Sequence, residues 1–345
     1  MSRVVLLDNP VLKYRPNSSV PVNIKAVADR IGSHLGREGG VYFVPFAAVH
    51  ADLALDRSIS GIGDLYGGIV QHLEHADKAI LHMLPSRDAQ HPRWYSPRFA
   101  QNVQEVALPG YTAFTIEDAV QAYRLMRSNN LTVRLKDPAN TGGLGQHFIG
   151  NETELVSILA QYETKLAKTG IVLEADLHGP VTITIGYVNI DGVIYTWHGR
   201  PYDVDHDGMT RFGGNELTVV RGGLDVLRKH AKDSHDQLAV DQAKRVFDAY
   251  SLLGTTVSHA TLDVVQGMSC SGTFLSGVTD PSLRPSASSA AEVRAIEALT
   301  DNPEATMAKT RLTYDYWKNV ERRPEQELFV DHPRMNILVE LAHVA

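Results

Sequence analysis

The sequence predicts an α/β (α+β) protein. Short β-like and helix-like runs alternate through the first hundred residues, beginning with Arg3–Leu7 and Val22–Leu35. Later in the chain, a lysine on a predicted strand precedes a glycine-rich turn and a second strand, and a further pair of strands follows around residues 170–190. Such alternation is typical of folds in which helices cover a sheet. At 345 residues, the length indicates roughly two or three domains.

Composition excludes several classes of function. The net charge is −7, and Lys and Arg are scattered rather than clustered, so we expect no nucleic-acid partner. No apolar run is long enough to span a membrane and the first residues do not form a signal peptide, so we expect no membrane partner and a cytoplasmic location. Cys270 is the only cysteine, which excludes an intrachain disulfide and a cysteine-based zinc site.

The first part of the chain forms a predicted N-terminal α/β domain that ends near residue 105. A segment rich in Pro, Arg and aromatic residues, Pro85–Arg98, is interpreted as a long loop before that boundary. Beyond it, Thr115 is predicted to cap a helix, because two acids follow in the first turn and apolar residues recur at helical spacing. Those apolar positions are Ala119, Ala122, Tyr123 and Met126.

The stretch that follows predicts a phosphate-binding hairpin. Lys136 ends a strand ahead of a turn that contains Gly142, Gly143 and Gly145. Glycines allow backbone N–H groups to point at phosphate oxygens, and the lysine adds a positive charge. An ordinary hairpin with a glycine-rich turn is the alternative.

The remaining elements alternate between helices and strands. We predict a helix from Asn151 to about Lys168, a hairpin with its turn at Asn189–Gly192, and a helix from Leu238 to Leu253. Strands at Ala260–Val265 and Thr273–Gly277, a helix at Ala291–Leu299, and a tail from Asp301 with a charged helix complete the chain.

The order of these parts resembles the ATP-grasp superfamily, and more narrowly an uncharacterised bacterial family of ATP-grasp-like proteins. The resemblance extends from about Gly61 to Leu299. The matching motifs are Asp64-Leu-Tyr-Gly-Gly-Ile-Val, Ala76-Asp-Lys-Ala-Ile-Leu-His, Leu108-Pro-Gly-Tyr-Thr-Ala-Phe, Val133-Arg-Leu-Lys, Thr141-Gly-Gly-Leu-Gly-Gln, Leu173-Glu-Ala-Asp-Leu, Phe212-Gly-Gly-Asn-Glu-Leu-Thr-Val-Val-Arg-Gly-Gly and Leu262-Asp-Val-Val-Gln-Gly.

This resemblance implies an activity and a domain division. ATP-grasp enzymes use ATP and Mg²⁺ to phosphorylate a carboxylate, and an amine or similar nucleophile then attacks the acyl phosphate. We therefore expect small-molecule carboxylate and amine substrates. Residues 1–105 would form a pre-ATP-grasp domain and residues 106–345 the ATP-grasp-like domain, with residues 130–180 as the glycine-loop lid and 181–345 as the metal-binding subdomain and tail.

The resemblance also assigns nucleotide-binding residues. Lys78 and Lys136 occupy the places of the two lysines that bind phosphates, and the three glycines would close over them. Glu174 matches the acid at the end of the hinge strand that holds adenine. A solvated helix residue is the alternative for Lys78, and an acid leaving the core is the alternative for Glu174. No acid stands at Val181, where many family members bind the ribose.

The metal ligands depart from the family pattern. Asp263 fits the first acid, whereas Asp280-Pro-Ser282 replaces the usual Glu-x-Asn with a shorter acid and a serine. Mg²⁺ prefers such oxygen ligands. Asp-Pro-Ser is also turn chemistry, which remains an alternative here. Arg284 and Arg221 are the candidate cations for the transferred phosphoryl group or the substrate carboxylate.

Other interpretations stay open. The altered metal motif also fits a non-catalytic nucleotide-binding protein, and a phosphotransferase acting on a hydroxyl is a third hypothesis. Substrate selection is expected from loops such as Pro85–Arg98 and Tyr202–Phe212. The sequence leaves the oligomeric state undecided, with a homo-oligomer as one alternative. A calcium loop at Asp203–Gly208 and a histidine metal site are rejected, because neither has its full ligand pattern.

Overall fold

A computed structural model describes residues 3–7, 20–34, 41–140, 145–318 and 322–345. The α-helices are α1 (Val20–His34), α2 (Ala51–Asp56), α3 (Pro97–Val103), α4 (Ile116–Ser128), α5 (Glu152–Leu159), α6 (Glu163–Thr169), α7 (Leu224–His230), α8 (Ser234–Ala249) and α9 (Ser289–Asp301). The strands are β1 (Arg3–Leu7), β2 (Val41–Pro45), β3 (Val49–His50), β4 (Gly68–Val70), β5 (Gly110–Ala113), β6 (Val133–Lys136), β7 (Gln146–Ile149), β8 (Ile171–Ala175), β9 (His178–Ile190), β10 (Val193–His206), β11 (Met209–Arg221), β12 (Thr256–Val257), β13 (His259–Met268), β14 (Phe274–Ser282), β15 (Met307–Asp315), β16 (Gln326–His332) and β17 (Met335–Val344).

The N-terminal part contains parallel strand pairs. β1 pairs with β2, and β3 pairs with β4. β12 joins the second pair by running antiparallel to β4, which gives a sheet of three strands. Apolar residues of α1, including Ile24 and Val27, are fully buried and join the core cluster that contains much of α9. The N-terminal part is therefore packed onto the C-terminal part by a shared core.

A four-stranded antiparallel sheet contains β6 and β7, the two strands on either side of the glycine-rich turn. Its strand order is β5-β8-β6-β7. Thr115 caps α4 by accepting a hydrogen bond from the Asp118 backbone N–H at 3.0 Å, and the predicted apolar positions of that helix are buried. The sheet begins at Gly110 and, together with α4, is called the lid subdomain below.

The largest sheet in the described residues has eight strands, in the order β14-β13-β9-β10-β11-β15-β17-β16. β14 extends to Ser282, so Asp280-Pro-Ser282 is strand and the turn alternative is wrong. The described part of the tail is also corrected, because β15, β16 and β17 add to this sheet where a charged helix was expected.

The two segments expected to select substrate lie in different parts of the fold. In Pro85–Arg98, Trp94 and Tyr95 are 7% and 3% exposed and pack against Phe114 of the lid. The Trp94 indole donates to the Lys168 carbonyl at 2.8 Å. Tyr202–Phe212 lies in the β10–β11 hairpin. Within the described ranges, no helix is long and apolar enough to cross a membrane.

Candidate nucleotide and metal site

Lys78 connects three parts of the fold. It lies in a single 3₁₀ turn, Lys78–Ile80, that Asp77 caps by accepting a hydrogen bond from the Ala79 backbone N–H at 2.9 Å. Its side chain is 4% exposed, and Nζ lies 3.3 Å from Asp280 Oδ2 on β14. Burial would lower the pKa of Lys78, but the Asp280 and Asp77 carboxylates outweigh it and raise the pKa. The alternative of a solvated helix residue is therefore wrong.

Lys136 forms a buried ion pair with Glu174. The two residues lie on neighbouring strands of the lid sheet, β6 and β8, and their side chains are 10% and 0% exposed. His82 Nε2 lies 2.8 Å from the other carboxylate oxygen, Glu174 Oε1. Burial would raise the pKa of Glu174, but the Lys136 charge and the His82 hydrogen bond lower it below its usual value. Glu174 at the predicted adenine site is therefore an ionised carboxylate, with one oxygen next to His82 and the other paired with Lys136.

Asp263 and Asp280 face each other across β13 and β14. They are direct partners in the antiparallel register, so both side chains point to the same face of the sheet. Thr184 of β9 donates its hydroxyl to Asp263 Oδ1 at 2.6 Å. Burial raises the pKa of Asp263 to about 6, and the Asp280 charge adds to this rise. The two carboxylates thus repel each other across the strand pair.

Asp77 is a third acid in this region, which the sequence interpretation missed. Burial raises its pKa to about 7, opposed by the hydrogen bond from Ala79 and the Lys78 charge and reinforced by Asp280. The acid precedes Lys78 directly in the chain, and that adjacency was the available sequence signal. The ammonium of Lys78 is therefore close to two acids, Asp77 next to it in the chain and Asp280 on β14.

The donor set fits a magnesium ion that is shared with a nucleotide. Within the described residues, no group of three His, Cys, Asp or Glu side chains could hold a metal. Mg²⁺, however, usually takes one or two carboxylates and completes its shell with phosphate oxygens and water. Asp263 and Asp280 supply two carboxylates, and the buried Ser282 hydroxyl has no hydrogen-bond partner. A divalent cation here would also relieve the repulsion between the two acids.

The ends of the glycine-rich turn are tightly built. Gly145 has a φ of +65°, which favours glycine, and a Cβ atom there would lie 2.6 Å from the Asn140 side-chain nitrogen. Asn140 also accepts a hydrogen bond from Lys78 Nζ through its backbone carbonyl, at 2.8 Å. Gly142 and Gly143 lie outside the described residues, so their contacts with phosphate stay predictions.

The two candidate arginines occupy different surroundings. Arg284 follows β14 two residues after Ser282, and its guanidinium donates to the neighbouring Pro285 carbonyl at 2.7 Å. Arg221 lies at the end of β11, three strands across the sheet from β13, and donates to the Leu299 carbonyl in the last turn of α9. Arg284 thus closely follows two candidate metal ligands in the chain, whereas Arg221 is hydrogen-bonded to a helix end.

A family model described as "Protein of unknown function (DUF3182)" matches residues 25–335. The chain belongs to this family. A comparison with curated proteins found no match.

Solved structures show which fold this family member has. Biotin carboxylase from Campylobacter jejuni, as a complex with β-γ-ATP, is similar with a TM-score of 0.54 and 11% identity, over 98% of this chain and 81% of that one. N5-carboxyaminoimidazole synthase from Aspergillus clavatus, with ADP and 5-aminoimidazole ribonucleotide, has a TM-score of 0.51 and 9% identity, over 99% and 94%. The biotin carboxylase domain of Hydrogenobacter thermophilus 2-oxoglutarate carboxylase, with MgADP and bicarbonate, has a TM-score of 0.52 and 13% identity, over 95% and 76%. These are ATP-grasp proteins, and the DUF3182 chain has the ATP-grasp fold that its sequence predicted.

Proposed function

We propose that this protein is an ATP- and Mg²⁺-dependent ligase that joins a carboxylate to an amine or a similar nucleophile through an acyl phosphate. The observation that carries the proposal is the contact between Lys78 and Asp280. It joins the lysine assigned to phosphate with an acid assigned to metal, although the two residues are about two hundred positions apart in the sequence. Solved proteins with this fold are complexes with β-γ-ATP, ADP or MgADP, which supports nucleotide binding by this protein.

The reaction would proceed in two steps. First, a carboxylate oxygen of the substrate attacks the γ-phosphorus of ATP, and the bond from that phosphorus to the bridging oxygen breaks to release ADP. Next, the amine nitrogen attacks the acyl carbon, and the carbon–oxygen bond to the phosphoryl group breaks to release phosphate. The amine loses a proton to a base or to solvent. Both steps depend on positioning and charge neutralisation more than on covalent help from the protein.

The charged residues have distinct roles in this proposal. Lys78 and Lys136 bind phosphates, and Gly142, Gly143 and Gly145 close over them. Glu174 holds adenine by accepting from its amino group once Lys136 turns to the phosphates.

On the metal side, Asp263 and Asp280, with Ser282, would hold Mg²⁺, which neutralises charge on the phosphates when bound. Arg284 lies close enough along the chain to contact the acyl phosphate. Arg221 stays a candidate from the sequence, and its contact with α9 favours a structural role.

Nucleotide binding is the first test. Thermal unfolding with ATP or ADP, each with and without Mg²⁺, should show stabilisation of about 2.7 kcal/mol when the ligand is at a hundred times its dissociation constant. Lys78→Met should weaken binding and reduce the shift, because it removes a charge assigned to the phosphates. Lys25→Met, which removes a lysine that is 64% exposed, should leave it unchanged. No shift with any nucleotide would contradict the proposal.

Ligation itself is tested with ¹⁸O-labelled carboxylates. Candidate acids and amines are screened for ADP release, and the phosphate from a positive pair is examined by mass spectrometry. An acyl phosphate delivers one labelled oxygen to inorganic phosphate. A phosphorylated hydroxyl product would instead identify a phosphotransferase, and Mg²⁺-independent binding without turnover would identify a non-catalytic nucleotide-binding protein.

A further inference from the structure

Asp137 is a buried carboxylate that neither the sequence motifs nor the proposed reaction uses. It follows Lys136 directly, and its side chain is 3% exposed. Oδ1 accepts from the Ala139 backbone N–H at 3.0 Å, and Oδ2 accepts from the Asn140 side-chain amide at 2.8 Å. Lys165 of α6 also donates to Oδ2, at 2.7 Å. A carboxylate with three donors at this depth is a strong local anchor.

The contacts of Asp137 reach both ends of the glycine-rich turn. On the incoming side, its carboxylate holds Ala139 and Asn140. On the outgoing side, its backbone N–H donates to the Gly145 carbonyl at 2.9 Å. Gly145 packs so closely that a Cβ atom would lie 3.0 Å from Asp137 Cβ. The separation between the two ends of the turn is thus set by one residue.

The same residue is connected to the phosphate lysine. Asn140 accepts from Lys78 Nζ through its carbonyl at 2.8 Å while its side-chain amide is held by Asp137. A continuous chain of polar contacts therefore runs from Lys165 on α6 through Asp137 and Asn140 to Lys78. Since Asn140 is fixed at both its side chain and its backbone, it restricts where the ammonium of Lys78 lies.

We propose that Asp137 is a positioning residue for nucleotide binding, which fixes both ends of the glycine-rich turn and, through Asn140, the position of Lys78. The nucleotide part of this inference rests on the proposed function. Asp137 does not touch the nucleotide in this scheme. It acts on binding by way of Asn140 at the start of the turn and the position of Lys78, so its removal should weaken nucleotide binding mainly where Lys78 is present.

The matched variants are Asp137→Asn and Asp176→Asn. Asparagine keeps the shape of Asp137 but loses the charge that Lys165 requires. Asp176 is the control, because it is a partly buried lid carboxylate, 16% exposed, that pairs with Arg134. Lys78→Met and the double variant Asp137→Asn/Lys78→Met complete the set.

The first measurement needs no nucleotide. Hydrogen exchange in peptides that span residues 137–146 should accelerate about tenfold in Asp137→Asn and stay unchanged in Asp176→Asn. The losses of melting temperature in Asp137→Asn and Lys78→Met should also be less than additive in the double variant, because the two residues are coupled through Asn140. Unchanged exchange, or fully additive losses, would overturn the proposal.

The second measurement is the dissociation constant for ADP and ATP by calorimetry. Asp137→Asn should weaken binding about tenfold in the wild-type background and add less than twofold in the Lys78→Met background. An equal loss in both backgrounds would show that Asp137 does not act through Lys78. If the wild-type protein binds no nucleotide, the proposed function fails, whereas the exchange and additivity results still decide whether Asp137 fixes the turn and the lysine.

Discussion

Replacing Lys136 with methionine should destabilise the lid subdomain strongly. The ammonium is the charged partner of Glu174, whose side chain is 0% exposed. Removing one partner of a buried ion pair costs about 3–5 kcal/mol, because the remaining charge is left uncompensated. His82 Nε2 lies 2.8 Å from the Glu174 carboxylate, and we expect this contact to remain in the variant. We therefore expect the lower end of that range, about 3 kcal/mol.

The loss should grow with pH. In the wild type the pKa of Glu174 is lowered, so its contribution to stability is complete above the unfolded pKa of about 4.3 and is lost only as the pH falls through the folded value. Without Lys136, burial raises the pKa of Glu174 above about 4.3, so the variant loses stability as the pH rises from there. The difference in unfolding free energy between wild type and variant should widen from about pH 5 to pH 7.5.

Urea unfolding followed by circular dichroism at both pH values measures this difference. The double variant Lys136→Met/Glu174→Gln should recover most of the stability, because neither member of this buried pair is then charged. Lys25→Met is the control, since its partner Asp29 is 67% exposed and such a surface pair contributes about 0–1 kcal/mol. If Lys136→Met loses no more stability than Lys25→Met, or loses the same amount at both pH values, the reasoning is refuted.

Four further substitutions have expected outcomes in thermal unfolding. Asp263→Asn should raise the melting temperature of the nucleotide-free protein, and more at pH 7.5 than at pH 4.5. The reason is that the folded-state pKa of Asp263, about 6, lies above the unfolded value of about 3.9, so the wild type loses stability as the pH rises through this range. An equal gain at both pH values would contradict this. Gly186→Ala should destabilise by about 1–3 kcal/mol or more, because its Cβ would lie 2.0 Å from the fully buried Trp197 ring; an unchanged melting temperature would show that the ring moves freely. Arg221→Ala should lower the melting temperature, because it removes a hydrogen-bond donor from the C-terminal end of α9. Arg284→Ala should leave the melting temperature nearly unchanged, because among the described residues Arg284 donates only to the neighbouring Pro285 carbonyl. A larger loss in Arg284→Ala than in Arg221→Ala would contradict the roles assigned to them.

Local patterns predicted much of the fold because they act over short distances. Thr115 and Asn151 both cap the helices that the sequence assigned to them. The turn at Asn189–Gly192 also forms, with Asp191 and Gly192 at positive φ. In each case the residues that decide the conformation lie within a few positions of each other.

The conformation of Asp280-Pro-Ser282 could not be predicted in this way. Its composition is that of a turn, yet pairing with β13 draws it into a strand. The strand lies at the edge of the eight-stranded sheet, where a proline that lacks an N–H is tolerated. Only the tertiary position of the segment distinguishes the two outcomes, and the same holds for the tail, whose strands depend on β11 for their place.

The site shows the same division between local and long-range information. The resemblance to the ATP-grasp superfamily identified Lys78, Lys136, Glu174, Asp263 and Asp280 as candidates. The structure adds their pairing, which depends on contacts between distant segments: Lys78 with Asp280, and Lys136 with Glu174. In the structure, each lysine assigned to phosphate is thus paired with an acid assigned to another group: Asp280 is assigned to Mg²⁺ and Glu174 to adenine.

This pairing predicts that ATP and Mg²⁺ bind cooperatively if the proposed function holds. ATP must displace Asp280 from Lys78, and Mg²⁺ must displace Lys78 from Asp280, so each ligand releases the partner that the other requires. Asp280→Asn should therefore bind ATP more tightly than the wild type when Mg²⁺ is absent, and should gain little from adding Mg²⁺. Dissociation constants measured by calorimetry with Mg²⁺ or with a chelator test this. Weaker binding of metal-free ATP by Asp280→Asn would show that Asp280 does not compete with the phosphates for Lys78.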